Sequence, residues 1–149
     1  MEIFPLDYRL DKDSIKLGYL SNTVVLLMNN SLVPWIILVP STDSIDEFDL
    51  LERDKQILLL DQINLISRFI RKQFQFDKLN IATIGNVVRQ MHIHIVARSE
   101  DDYCWPNVVW GTKSCKPWTE DEASNIAQQL AAFLPNDFKL LDKPTINSG

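Results

Sequence analysis

An alternation of apolar and polar side chains in the second half of the chain most constrains the fold. It covers Gln90 to Ile95, inside a segment from Val87 to Arg98 that contains both histidines of the protein. Because alternate side chains of a β-strand point to the same face, we expect a strand with two rows. These rows are Val88, Gln90, His92 and His94, and Met91, Ile93 and Ile95. One face then presents two imidazoles and a carboxamide about 7 Å apart per step, which suits anion or metal binding.

Three further segments have the β-branched and apolar content of strands. Residues 23–28 and 35–39 lie on either side of a turn signal at residues 29–31. Residues 79–84 precede a tight turn at residues 85–86, which leads into the histidine strand. Connections this short favour antiparallel pairing of the strands that they join.

Two helices are predicted. The first spans Leu51 to Phe74, with an apolar stripe at helical spacing formed by Leu59, Ile63, Ile66, Ile70 and Phe74. The second covers about residues 119–134 and opens with a capping box between Thr119 and Glu122. The tail after residue 141 is predicted to be frayed. The pattern indicates a single α+β domain over residues 1–149, with an antiparallel sheet of about five strands under a long helix and a C-terminal helix.

Composition narrows the function classes. A net charge of −5 disfavours binding to nucleic acid, which needs a basic surface. No apolar run approaches the roughly 20 residues that span a bilayer, and the N-terminus lacks a secretory signal pattern. The two cysteines, Cys104 and Cys115, are too few for a disulfide-stapled secreted fold and are expected to be free thiols. We therefore expect a cytoplasmic protein that binds neither nucleic acid nor membrane.

The run from Gln90 to Val96 resembles the signature of the histidine triad (HIT) family, His-x-His-x-His followed by two apolar residues. Gln90 stands where the family has its first histidine. The similarity extends to Gly85-Asn86-Val87-Val88 and to the hairpin with Met28-Asn29, Pro34 and the run Ile37 to Pro40. The order hairpin, long helix, hairpin ending in the triad matches the family over roughly residues 20–110. The resemblance implies a HIT-like fold.

Members of this family hydrolyse or transfer at a nucleoside α-phosphate, in substrates such as nucleotide phosphoramidates and dinucleoside polyphosphates. The resemblance implies that His92 is the nucleophile, that it forms a nucleotidyl-histidine, and that His94 contacts the phosphate and the leaving side. A neutral imidazole is a competent nucleophile near neutral pH when one ring nitrogen is held as a donor and the other is free. In the family that donor reaches a main-chain carbonyl near the first triad position, and a carbonyl is retained at Gln90. The glutamine side chain can position a phosphate oxygen but cannot relay a proton.

The resemblance also implies a set of substrate contacts. Asn29 matches a polar residue at the ribose, and Asn80 and Asn86 lie where polar groups of the family approach the phosphates. Basic side chains that can offset the ligand charge are Arg89, Arg98, Lys113 and Lys116. The family's Gly-His after the proline is Trp35-Ile36 here, so base recognition is expected to differ.

Several alternatives remain open from the residues alone. His92 and His94 can be polar residues on the wet face of an antiparallel strand, or two ligands of a metal ion that Asp101 or Asp102 completes. The asparagines can be turn formers, and Arg98 can end a strand in solvent. Trp105 and Trp110 can stack a base, anchor a long loop or make a subunit contact.

The functional alternatives are a nucleotide-binding module with little turnover and an interaction domain that uses the tryptophan-rich residues 105–111. No metal is expected among the protein's own residues and no cofactor is required, although Mg²⁺ can accompany a polyphosphate substrate. The expected partner is a small nucleotide. A homodimer is implied by the resemblance.

Overall fold

The computed structural model describes the backbone of residues 4–146 and the side chains of residues 4–141. Its helices are α1 (Tyr8–Asp13), α2 (Arg53–Gln73) and α3 (Glu120–Phe133), with a short 3₁₀ helix at Phe48–Leu50. Its strands are β1 (Ser14–Leu20), β2 (Thr23–Met28), β3 (Trp35–Pro40), β4 (Lys78–Ala82), β5 (Ile93–Arg98) and β6 (Phe138–Ile146). They form one antiparallel sheet in the order β4-β5-β3-β2-β1-β6. The predicted α+β fold is confirmed.

The strongest local patterns predicted their elements well. The β2–β3 hairpin pairs antiparallel from Thr23 opposite Pro40 to Leu27 opposite Ile36. Helix α3 opens with the predicted capping box, in which Thr119 Oγ1 accepts from the Glu122 N–H at 3.1 Å and Glu122 accepts from the Thr119 N–H at 2.9 Å. Helix α2 lies within two residues of its predicted bounds.

The sheet has six strands where about five were expected, since neither β1 nor β6 was assigned from the sequence. The prediction of a frayed tail after residue 141 is wrong for the backbone up to Ile146. Ile146 pairs with Ile15, and Thr145 pairs with Lys16. Strand β6 was not marked by a local apolar pattern, because it forms by pairing with β1 at the other end of the chain. The last residues of the tail, 147–149, lie outside the described part.

The histidine strand is shorter than predicted, and residues 83–92 form an irregular connection instead of a tight turn. The last β3–β5 pair joins Leu38 to Ile93. In that register Pro40 would oppose Met91, and proline has no N–H to donate to a ladder. The chain before β5 is therefore released from the sheet, which lets His92 leave the strand direction.

The two faces of the sheet are buried by different material. One face packs its apolar side chains under α2 and α3, and it includes Ile93, Ile95 and Met91. The other face carries Trp35, Ile37 and Val96, and it is covered by residues of the N-terminal segment and of the 103–110 region. His94 belongs to this second face by alternation with Ile93 and Ile95. The predicted division of the histidine strand into two rows is therefore correct where the strand exists.

Candidate active site

A cavity of about 660 Å³ opens on the second face of the sheet at the start of β5. Both imidazoles line it, together with residues from several other parts of the chain. These parts are the end of α1 at Lys12 and Asp13, the end of β2 at residues 28–30, Trp35 at the start of β3, the connection at residues 84–88, residues 109–115, and Pro117. The cavity thus forms where the irregular connection before β5 meets the tryptophan-rich region.

His92 is held through one ring nitrogen. Its Nδ1 lies 2.7 Å from the main-chain oxygen of Gln90. Because a carbonyl oxygen only accepts, Nδ1 carries the proton and the lone pair of Nε2 is left free. The side chain is 6% exposed and lines the cavity, so the ring is neither on a wet face nor sealed in the core. This arrangement suits a nucleophile.

His94 also makes a hydrogen bond through Nδ1, but this atom is the acceptor in His94, whereas it is the donor in His92. Trp35 Nε1 donates to His94 Nδ1 at 3.0 Å. The His92 and His94 rings meet edge to face at 4.8 Å between centroids, and Trp110 lies 5.3 Å from the His94 ring. Burial lowers the pKa of His94 to about 3, with a smaller contribution from the nearby His92. His94 is therefore neutral across the physiological range.

Gln90 does not share the face of the two histidines, contrary to the predicted row. Its Oε1 accepts from the Asp7 N–H at 2.7 Å, and its Nε2 donates to the Pro5 carbonyl at 3.0 Å. The side chain is turned toward the N-terminal segment because the backbone at residue 90 is no longer part of the strand. The residue acts on His92 through its main-chain oxygen.

The predicted substrate contacts divide into two pairs. Asn29 and Asn86 line the cavity. The Oδ1 atom of Asn29 also accepts a hydrogen bond from the main-chain N–H of Trp118 at 2.9 Å, which fixes the asparagine side chain. Asn80 and Arg98 do not line it; instead Arg98 Nη1 donates to Asn80 Oδ1 at 3.0 Å.

Arg98 is neither a phosphate ligand on the cavity wall nor a solvent-exposed strand end, because it is 1% exposed and fully paired. Its guanidinium bonds both carboxylate oxygens of Asp102 at 2.8 and 3.1 Å and the Asn107 carbonyl at 2.7 Å. The pair lowers the pKa of Asp102 to about 2 against the opposing effect of burial. Arg98 also lies against the Trp105 ring, at 5.7 Å from its centroid. This cluster fixes the loop that leads to Trp110.

The two tryptophans of the 105–111 region have different places. Trp105 packs on Arg98 and anchors the loop, whereas Trp110 lines the cavity beside His94. Of the basic side chains singled out in the sequence, Lys113 lines the cavity and Arg89 pairs with Asp46 at 3.1 Å. Lys12, Asp13 and Trp35 were missed as cavity residues. No local signal marks the first two, since the N-terminal segment joins the site only through the tertiary fold.

Among the residues that the structure describes, no three His, Cys, Asp or Glu side chains are grouped so as to hold a metal ion. Asp102, one of the proposed third ligands, is occupied by Arg98. Within the same residues, none of the helices has the length and apolar content to cross a bilayer.

The sheet, the long helix and the paired histidines define the histidine-triad class of proteins. A model of the HIT domain matches residues 9–101, and the chain belongs to that family. Among solved structures, a histidine triad protein of Sinorhizobium meliloti 1021 is 39% identical, with a TM-score of 0.83 over 88% of this chain and 97% of that one.

Two other solved structures are similar to the same extent. A histidine triad protein of Marinobacter aquaeolei VT8 is 37% identical, with a TM-score of 0.83 over 89% of this chain and 96% of that one. A histidine triad protein of Bradyrhizobium japonicum is 35% identical, with a TM-score of 0.82 over 87% of this chain and 96% of that one. No curated protein matches the chain. Membership of the HIT family indicates a nucleotide-binding protein of the hydrolase or transferase type.

Proposed function

We propose that the protein hydrolyses or transfers at a nucleoside α-phosphate, through a nucleotidyl group carried on His92. The observation that supports this most is the fixed ring of His92, with Nδ1 at 2.7 Å from the Gln90 carbonyl and the ring on the cavity wall. Gln90 then occupies the first position of the triad, and its main-chain oxygen supplies the contact that orients the nucleophile. The substrates proposed are nucleotide phosphoramidates or dinucleoside polyphosphates.

In the proposed reaction, the lone pair of His92 Nε2 forms a bond to the α-phosphorus. The bond from phosphorus to the leaving group breaks, and the leaving group departs with its electron pair and takes a proton from water. The phosphorylated imidazole is cationic, and its Nδ1–H bond to the Gln90 carbonyl stabilises that charge. Water, or another acceptor, then attacks the phosphorus and releases His92 in its starting form.

The neighbouring side chains fit this chemistry. His94 presents its Nε2–H to the cavity, where it can bond a phosphate oxygen or the leaving atom. Asn29 and Asn86 offer uncharged groups for the ribose and phosphates, and Lys113 on the cavity wall offers a compensating positive charge. Mg²⁺ that accompanies a polyphosphate substrate would arrive with it, and no protein-bound cofactor is required.

Homodimer formation and a cytoplasmic location remain proposals. The free edge of β4 and the half-exposed apolar side chains Ile81 on β4 and Leu60 on α2 support self-association. The molar mass in dilute solution tests it, and a monomer at micromolar concentration would contradict it. Cys104 and Cys115 are free thiols, which is consistent with a reducing compartment.

The decisive experiment follows an α-labelled nucleotide phosphoramidate and a dinucleoside polyphosphate through a single turnover. Wild type should acquire label on the protein that survives an alkaline denaturing quench, and the label should map to the peptide with His92. His92→Ala should lose labelling and slow turnover by about 10³-fold or more while it still binds nucleotide. His94→Gln is the matched control and should still become labelled, at a reduced rate.

Binding without turnover in wild type would contradict the proposal and favour a nucleotide-binding module. The absence of binding to every nucleotide tested would favour an interaction domain. Label found on any residue other than His92 would exclude the assigned nucleophile.

A further inference from the structure

We propose that Trp35 is a positioning residue that holds His94 as a neutral imidazole with its single proton on Nε2. In that form His94 gives a bound ligand one hydrogen bond from Nε2. It does not take up a second proton to become a cationic acid.

The direction of one hydrogen bond fixes the tautomer of His94. Trp35 Nε1 lies 3.0 Å from His94 Nδ1, and an indole nitrogen can only donate. His94 Nδ1 must therefore accept, which it does only without a proton of its own. A neutral imidazole carries one proton, so that proton is on Nε2.

The surroundings make this bond hard to replace. Trp35 is 6% exposed and His94 is 5% exposed, so little water reaches Nδ1. Protonation of Nδ1 would point two N–H groups at each other in a buried place, which costs the hydrogen bond and leaves both donors unsatisfied. Trp110 does not compete for Nδ1, because its own Nε1 is buried and has no hydrogen-bond partner among the described residues.

Several charged or titratable groups surround His94. The His92 ring is in contact with it, at 4.8 Å between centroids, and a positive charge on His92 would oppose a second one on His94. The other such groups that line the cavity are Lys12, Asp13, Lys113 and Cys115. The low pKa of His94, about 3, has burial and His92 as its causes, and neither Asp13 nor another carboxylate is among them.

The two histidines are thus held in opposite tautomers through the same ring atom. His92 Nδ1 donates to a carbonyl, which leaves a lone pair on Nε2, whereas His94 Nδ1 accepts from Trp35, which leaves a proton on Nε2. The tautomer of His94 stands independently of any reaction. Its consequence for turnover rests on the proposed function: His94 is a hydrogen-bond donor to phosphate or leaving group, and the leaving group's proton comes from water.

The test is the protonation state of His94 measured by NMR on untagged, ¹⁵N-labelled protein, in which only His92 and His94 give imidazole signals. We expect His94 to show an unprotonated Nδ1 and a protonated Nε2 from about pH 5 to 8. We also expect a scalar coupling across the hydrogen bond between Trp35 Nε1 and His94 Nδ1. An Nδ1–H tautomer, a mixture of tautomers, an imidazolium in this range or the absence of that coupling would overturn the proposal. These wild-type measurements decide the matter even if a variant does not fold.

Two variants separate positioning from packing. Trp35→Phe keeps an aromatic ring but removes the donor, so His94 should populate both tautomers and its pKa should rise by about one unit or more. Trp110→Phe also removes an indole beside His94, but one without a bond to Nδ1, so the tautomer should be unchanged. An unchanged His94 in Trp35→Phe would overturn the proposal. A confirmed tautomer together with no nucleotide turnover would retain this inference and reject the proposed function.

Discussion

Gln90 contributes to the site through two different groups. Its main-chain oxygen receives the His92 Nδ1–H, and its side chain bonds the backbone of Pro5 and Asp7. The first contact is available to any residue at this position, whereas the second needs a group that both donates and accepts. The side chain therefore fixes the N-terminal segment next to the residue that orients the nucleophile.

Replacement of Gln90 by alanine tests this division. Gln90→Ala removes two side-chain hydrogen bonds, so the free energy of unfolding should fall by about 1–3 kcal/mol in chemical denaturation. The carbonyl that holds His92 remains, so turnover should fall by about tenfold at most, far less than in His92→Ala. Gln90→Glu is the control, since its carboxylate still accepts from the Asp7 N–H. Inactivation of Gln90→Ala as complete as that of His92→Ala would contradict this assignment and indicate direct action of the carboxamide.

The role of Arg98 could not be inferred from its residue type and its place in the sequence. An arginine at the end of a strand next to a histidine motif suggested a phosphate contact, but its guanidinium is paired with Asp102 and Asn80 below the surface. The partner that decides its role lies in a loop whose path has no periodic pattern. Arg98 thus supports the site indirectly, through the loop that carries Trp110 to His94.

At the scale of elements, the least predictable contact is between β1 and β6. Gly18 lies where β1 shifts register, opposite Leu140. A Cβ at Gly18 would lie 2.1 Å from the main-chain oxygen of Lys139 and 2.6 Å from the Phe138 ring. The close approach of these two strands therefore depends on the missing side chain.

We expect Gly18→Ala to destabilise the protein by about 3 kcal/mol, because the added carbon meets backbone that cannot turn aside. Gly111→Ala provides the comparison. Gly111 has a φ of +91°, but no atom of the described residues lies within 4 Å of a Cβ placed there, so only backbone strain of about 1 kcal/mol applies. Urea denaturation of both variants measures the difference. A cost for Gly18→Ala no greater than that for Gly111→Ala would mean that β6 adjusts freely.

For the whole molecule, the buried His94 links stability to pH. Its pKa falls from 6.5 to about 3 on folding, so between these values the unfolded chain binds a proton that the folded protein does not. Stability therefore decreases as the pH falls through this window. Against the effect of burial, hydrogen bonds from Arg98 and from the backbone of Ser99 and Cys104 lower the pKa of Asp102 from 3.8 to about 2, which extends the loss of stability to more acidic solution.

Chemical denaturation at pH 8 and pH 5 should reveal this linkage. We expect His94 to lower the free energy of unfolding by about 2 kcal/mol at pH 5 relative to pH 8. His94→Gln cannot titrate and should lose most of that difference. An equal pH dependence in the two proteins would show that His94 is not the linked group.

The strands and helices with a strong local period could be predicted from the sequence, and so could the fold class. The β2–β3 hairpin, helix α2 and the Thr119 capping box depend on residues within a few positions of each other. Strands β1 and β6 could not be predicted in the same way, because each exists by pairing with a distant partner. The extent of β5 was overestimated for the same reason, since Pro40 of another strand ends its ladder.

By itself, the sequence determined that two imidazoles lie close together at the start of a strand of an antiparallel sheet, because they are two positions apart in an alternating segment. The carbonyl that holds the His92 ring is local and was expected from the family resemblance, whereas only the tertiary structure decided the hydrogen-bond partner of the His94 ring. A carbonyl of residue 90 and an indole of residue 35 contact the same ring atom of His92 and His94 with opposite polarity. The contact of His94 needs residues 59 positions apart to meet at hydrogen-bond distance, and no local pattern encodes such a meeting.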